Sequence, residues 1–250
     1  NDIANTNTSP GNEPNGGAAL SFDFTQNLGL APSTNTAAAQ NLNSNTTNLF
    51  YMNNMMHDIW YSYGFDEAAG NFQQNNYGNG GSESDSVNAE AQDGSGTCNA
   101  NFGTPPDGSN PTMQMYVCND KDGDFDNLVI VHEYGHGISN RLTGGPTNTG
   151  CLNNNEQMGE GWSDWVGLMI TMQAGDQADD ARGIGTYAIG EPADGVGIRQ
   201  YPYSYNMSIN PLTYGNLAAT GGQVHAVGTI WATMIWDLNW DLIAEYGYDA

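Results

Sequence analysis

Leu49, Met52, Met56, Ile59, Trp60 and Tyr63 recur at three- and four-residue spacing, which predicts a helix with one buried face, and Gly64 supplies its stop. The polar cluster Asn43 to Asn48 ahead of them reads as the cap region. Residues 1–40, rich in Asn, Thr and Ala with a short apolar patch at Leu20, Phe22 and Phe24, read as irregular or β structure. From Asn71 to Asp126 the pattern changes. Short alternating runs such as Met113 to Val117 are punctuated by Gly80-Gly81, Gly94-Ser95-Gly96, Pro105-Pro106-Asp107-Gly108 and Asp122-Gly123, which predicts a β-rich stretch. Helical spacing then returns: Asp126 or Asn127 caps a segment through Val129, Ile130, Val131, His132 and His136 to Leu142, closed by Gly144-Gly145-Pro146. Further helices are predicted from Met158 to Ala174 and from Val224 to Tyr246. The expected division is a β-rich lobe with one helix over residues 1–125 and a helical lobe over residues 126–250.

Charge narrows the partners. The 250 residues carry 4 Lys plus Arg against 28 Asp plus Glu, a formal net charge of −24. Such a surface repels phosphate backbones and anionic headgroups, so nucleic acid and membrane surfaces are not expected partners. No apolar run approaches the roughly 20 residues of a membrane helix. With 13% charged residues but 33 Gly, polarity rests on Asn, Gly, Ser and Thr, as suits a solvated, secreted protein. Asn1 to Asn15 lack the charged and apolar regions of a signal peptide, and the expectation is a processed or excised piece. Of three cysteines, Cys98 and Cys118 are the expected pair and Cys151 is left over; three free thiols are the alternative.

Residues 132–136 read His-Glu-Tyr-Gly-His. Two histidines four apart on a helix share a face, so both rings can reach one metal ion, while Glu133 projects beside it toward a metal-bound water. Zinc suits three N/O ligands with a fourth position open to water, whose pKa it lowers to about 7. A third ligand is sought on another helix, and Glu160 is the candidate. Asp164, one turn on, is placed to accept from the free ring N–H of His132 and fix that ring. The alternative is an acidic helix start favoured by the dipole. His225, at the start of the last helix, is a candidate donor to the oxyanion formed when water attacks a peptide carbonyl, with capping or packing as its alternative. His57 reads as a core histidine.

His132 to Gly137, Ser139 to Pro146 and Met158-Gly159-Glu160-Gly161-Trp162 together resemble the fungalysin metallopeptidases, secreted cousins of thermolysin. The resemblance extends through Ala91 to Thr97, Phe102 to Gly108, Ile198 to Ser204 and Val224-His225-Ala226. It implies an α+β, two-lobed gluzincin fold with a β-containing N-terminal lobe, a mainly helical C-terminal lobe and the zinc helix in the cleft between them. It also implies zinc-dependent endopeptidase activity on protein or peptide substrates, secretion, and a zymogen with an inhibitory propeptide. By motif, His132, His136 and Glu160 match the zinc ligands, Glu133 the catalytic carboxylate, Asp164 the acid that orients a ligand histidine and His225 the transition-state histidine. Arg199 resembles an arginine that contacts the substrate carbonyl and supports the site, and Asn99-Ala100-Asn101 an edge strand that pairs with substrate backbone. A companion tyrosine is not placed, since Tyr201, Tyr203, Tyr205 and Tyr214 are all eligible. The chain also stops soon after the last helix, where the family continues. Calcium is a possible second ion, although Asp120 to Asp126 is no EF-hand: Phe125 holds its Gly position and Val131 its Glu position. That segment reads as a turn capping the zinc helix. An inactive zinc-keeping module and an acidic calcium-dependent adhesive protein are the competing classes.

Overall fold

Asparagines disfavour helix interiors because their side chains compete for the backbone, unless something else takes up their hydrogen bonds. In the computed structural model, which describes residues 13–30, 32 and 35–248, distant partners do so. Asn45 Nδ2 donates to Asp122 Oδ2 at 2.7 Å, Asn48 Nδ2 to the Asp124 carbonyl at 2.7 Å, and Asn41 pairs with the backbone of Asn27. The cluster read as a cap therefore lies inside helix α1, Asn35–Ser62, and the irregular or β reading of residues 1–40 is corrected from Asn35 onward. Its part over residues 1–12 lies outside the described residues. Leu20 and Phe22 are exposed and form no strand. The apolar face of α1 is as expected at Leu49, Met52 and Met56, which enter the main core with Met113, Ile130, Val131 and Ile138. Tyr63, counted on that face, is exposed.

The turn-rich stretch holds five short strands: β1, Asn88–Glu90; β2, Ala100–Gly103; β3, Thr112–Met115; β4, Val117–Cys118; and β5, Lys121–Asp122. Strand β3 is central, with β1 parallel and β2 antiparallel to it, so β2 is an edge. Met113 and Met115 face the core while Thr112 and Gln114 are half-buried, the two-residue period of a strand covered on one side. Strands β4 and β5 form a hairpin. A disulfide joins Cys98, just before β2, to Cys118, and Cys151 is free and exposed.

Helix α2, Asn127–Gly144, begins where the Asp126 side chain accepts the Val129 N–H at 3.3 Å. At its far end Arg141 is fully buried. Its Nε donates to the Pro105 carbonyl at 2.9 Å, and its Nη1 to the Gly70 carbonyl at 2.8 Å and Asp85 Oδ2 at 3.2 Å. One cation thus pins two loops to the helix. Helix α3, Gly159–Ile170, ends before the expected Ala174. Its terminal Thr171 hydroxyl donates to the Gly167 carbonyl at 2.7 Å and accepts from Arg182 at 2.9 Å, which holds the chain in a turn. Helix α4, Val224–Tyr246, spans the expected residues. It packs a second core with α3 through Leu168, Ala232 and Trp236, joined by Ile184 and Tyr203. The fold is α+β. Among the described residues no helix is long and apolar enough to cross a membrane.

Candidate active site

Helix α2 contributes His132 and His136, one turn apart, with their Nε2 atoms 3.1 Å from each other. Gly135 between them lets α3 come close, since a Cβ there would lie 3.0 Å from Ser163 Cα. That approach brings in Glu160 from the first turn of α3. Its Oε2 is 3.3 Å from His132 Nε2 and its Oε1 is 3.7 Å from His136 Nε2. The three donor atoms lie within 4.8 Å of one another. Two imidazole nitrogens bound to tetrahedral zinc at about 2.0–2.1 Å sit about 3.3 Å apart, so the observed spacing fits that ion.

Asp164, the other acid on this face of α3, sits under His132. Its Oδ1 is 2.8 Å from His132 Nδ1, although the angle departs from that of a good hydrogen bond. Arg199 grips the carboxylate with two bonds of 2.8 Å from Nε and Nη2, and Tyr203 OH donates to Oδ2 at 2.6 Å. Arg199 Nη2 also reaches Glu160 Oε2 at 3.4 Å. The arginine expected at the substrate thus has its fork on two site carboxylates while still lining the cleft. Tyr203 is fully buried behind Asp164, held by a backbone bridge to Arg182. Of the four tyrosines eligible from the sequence as the companion of His225, none of Tyr201, Tyr203, Tyr205 or Tyr214 lines the cleft, and Tyr203 instead supports Asp164.

His225 stands on the first turn of α4, with Nε2 3.3 Å from Glu160 Oε1. A close contact between two glycines puts it there. A Cβ on Gly161 would lie 2.3 Å from the Gly228 carbonyl oxygen, so α3 and α4 touch backbone to backbone immediately beside Glu160 and one turn from His225. Glu133, His225, Arg199, Asn99 and Ala100 all line one cleft of about 380 Å³ with the three donor residues. Ala100 opens the edge strand β2. His57 is elsewhere, with its ring between Asp58 and Gln73.

Electrostatics separates the roles. Burial pushes the Glu133 carboxyl up to about 7, with the Glu160 charge adding to it and His132 opposing. Burial also opposes the ionised forms of Glu160 and Asp164, but it is outweighed. His132 and its neighbouring rings hold Glu160 down at about 2, and Arg199 with His132 holds Asp164 well below the carboxylate range. The His132 ring is disfavoured as a cation by burial, yet Asp164 and Glu160 lift it to about 10. His136, buried and beside that charge, falls to about 4. Two carboxylates are therefore fixed as anions, whereas Glu133 is poised to exchange a proton.

Helices converging on two histidines and a glutamate, with a spare buried glutamate beside them, define a metallopeptidase-type centre. The chain belongs to the fungalysin metallopeptidase family, whose family model matches residues 1–250. It is 43% identical over 251 residues to "Extracellular metalloproteinase MEP" of Neosartorya fischeri, covering 94% of this chain and 38% of that protein. It is 48% identical over 209 residues to "Extracellular metalloproteinase 2" of Trichophyton rubrum, covering 80% of this chain and 32% of the relative. Against "Extracellular metalloproteinase mep" of Aspergillus fumigatus the figures are 43% over 258 residues, 99% and 39%. The chain thus spans about two fifths or less of the length of the curated relatives it matches. The family implies a metal, and His132, His136 and Glu160 are the residues placed to hold one.

Proposed function

We propose that this chain carries the catalytic centre of a secreted zinc-dependent endopeptidase, with His132, His136 and Glu160 as zinc ligands. The carrying observation is the convergence of their donor atoms within 4.8 Å beside Glu133, a carboxyl held near neutral pH. Bound zinc supplies Lewis acidity, polarising the scissile carbonyl and lowering the pKa of a water to about 7. Glu133 is the residue placed to accept a proton from the attacking water and return it to the leaving amine, a role that needs a pKa near the working pH. His225 Nε2 faces the cleft as donor to the developing oxyanion. Asp164, gripped by Arg199 and Tyr203, fixes the His132 ring. Asn99, Ala100 and Arg199 contact substrate, whose extended backbone adds to the free edge of β2.

Residues 1–125 and 126–250 are read as the two lobes of one catalytic unit. The same reading includes synthesis with an inhibitory propeptide and action outside the cell, consistent with relatives named extracellular metalloproteinases. Calcium is left as a possible second ion without assigned ligands. Glu133→Gln tests the centre: it should retain stoichiometric zinc yet lose about a hundredfold to ten-thousandfold in kcat on a peptide substrate, the contribution of positioned proton transfer. Near-normal turnover with zinc bound would refute the assignment.

A further inference from the structure

The two ring nitrogens of His225 face groups of opposite polarity. Nδ1 lies 2.8 Å from Gln223 Nε2, and Nε2 lies 3.3 Å from Glu160 Oε1. A side-chain amide can in general be turned to offer either end, but the Gln223 amide is anchored. Its Oε1 accepts the backbone N–H of Ala226 at 2.7 Å and so caps helix α4. Only the oxygen end can accept that N–H, which leaves the NH2 to face His225. A neutral imidazole has one donor and one acceptor nitrogen. Facing an N–H, Nδ1 must accept, so Nε2 carries the hydrogen. The Glu160 carboxylate, on a different helix, requires the same tautomer.

We propose that Gln223 is a positioning residue of the active site, holding His225 as the Nε2–H tautomer with that hydrogen aimed into the cleft. This rests on the oxyanion-donor reading of His225 above. The His225 side chain is 47% exposed, so packing alone does not fix the ring, and the reverse tautomer would turn a lone pair toward an oxygen gaining negative charge. One amide thus does two jobs. Its oxygen starts the helix that carries His225, and its NH2 sets which nitrogen of that histidine is the donor.

Two variants separate those jobs. Gln223→Ser keeps a helix-capping oxygen and removes the group facing Nδ1. Gln223→Glu also keeps an oxygen for Ala226 but changes the group facing Nδ1 from donor to acceptor. Nitrogen-15 NMR of the histidine rings in the zinc-loaded chain reads the tautomer, with His225 assigned by the signals lost in His225→Ala. The parent should carry hydrogen on Nε2, and Gln223→Glu should carry it on Nδ1. In the zinc-loaded chain kcat should fall about a hundredfold to a thousandfold in Gln223→Glu and less in Gln223→Ser, with KM and melting temperature little changed. Hydrogen on Nδ1 in the parent, an unchanged tautomer in Gln223→Glu, or an inverted tautomer with undiminished kcat overturns the proposal. A kcat untouched by His225→Ala refutes the oxyanion reading instead, and the spectra then decide the Gln223 assignment by themselves.

Discussion

Placing a methyl group at Gly161 tests how closely α3 and α4 must meet for the site to work. The added Cβ would lie 2.3 Å from the Gly228 carbonyl oxygen and 3.0 Å from Gly228 Cα. Ordinary contact begins near 3.4 Å, so relief requires the helices to part by about 1 Å. The atom met is backbone, which cannot rotate away, and overpacking of this kind costs about 1–3 kcal/mol. For a chain of this size that lowers the melting temperature by several degrees, at about 2–4 °C per kcal/mol. The donor atoms on α2 and α3 remain together, but His225 rides on α4 and leaves its 3.3 Å position at Glu160. Displacing an active-site group by about 1 Å costs up to a hundredfold. Gly161→Ala should therefore keep one zinc per chain, lose about tenfold to a hundredfold in kcat and melt earlier. The assay is steady-state cleavage of a quenched fluorescent peptide alongside metal analysis and calorimetry. Parent-like kcat and melting temperature would show that the glycine contact does not set the position of His225.

Arg141→Met should lower stability by about 3–5 kcal/mol in calorimetry, because it leaves Asp85 buried without its cation and two carbonyls without a donor; a shift under about 1 kcal/mol would mean the loops are held by something else. Replacing Cys98 and Cys118 together by Ser should cost about 3 kcal/mol for a cross-link spanning 20 residues. Because both cysteines line the cleft next to Asn99 and Ala100, KM should rise more than kcat falls, and a pure kcat effect would argue against the edge strand as a substrate contact.

The reactive pattern was readable because it is local. His132 and His136, like Glu160 and Asp164, are pairs one helical turn apart, and helical geometry alone assigns each pair to a single face. Most of what could not be read depends on a partner far along the chain or on the direction a side chain takes. The start of α1 was missed since Asn45 and Asn48 look like caps until Asp122 and Asp124 are seen to receive them. Those two acids, which resemble the opening of a calcium loop, are buried: Asp122 Oδ2 accepts from Asn45 and Gln92, and Asp124 Oδ2 accepts the Gln92 N–H at 2.9 Å. Tyr203 was one of four equivalent tyrosines until packing put it behind Asp164. Gln223 carried no signal beyond its place before a helix, because its role needs the direction of a ring two residues on.

Charge balance makes metal binding itself a proton-releasing event. Glu133, Glu160 and Asp164 are three carboxyls in one buried pocket, answered in the metal-free protein by Arg199 and a protonated His132. A divalent ion together with Arg199 balances all three, and His132 must give up its proton to become a ligand. Its ring rises from 6.5 unfolded to about 10 in the metal-free fold. The stability it contributes there is fully present below about pH 6.5 and is lost as pH rises through about 10. At pH 8 the metal-free ring is therefore charged, and zinc entry expels about two protons per chain, one from His132 and one from the water whose pKa falls to about 7. Between about pH 7 and 10 each unit of acidification weakens zinc binding about a hundredfold, tenfold for each proton released. Titration calorimetry at pH 8 in buffers of different ionisation enthalpy counts the protons directly. Release of only about one proton, the water's own, would show that His132 is already neutral in the empty site, and that Asp164 and Glu160 do not hold its charge as the geometry indicates.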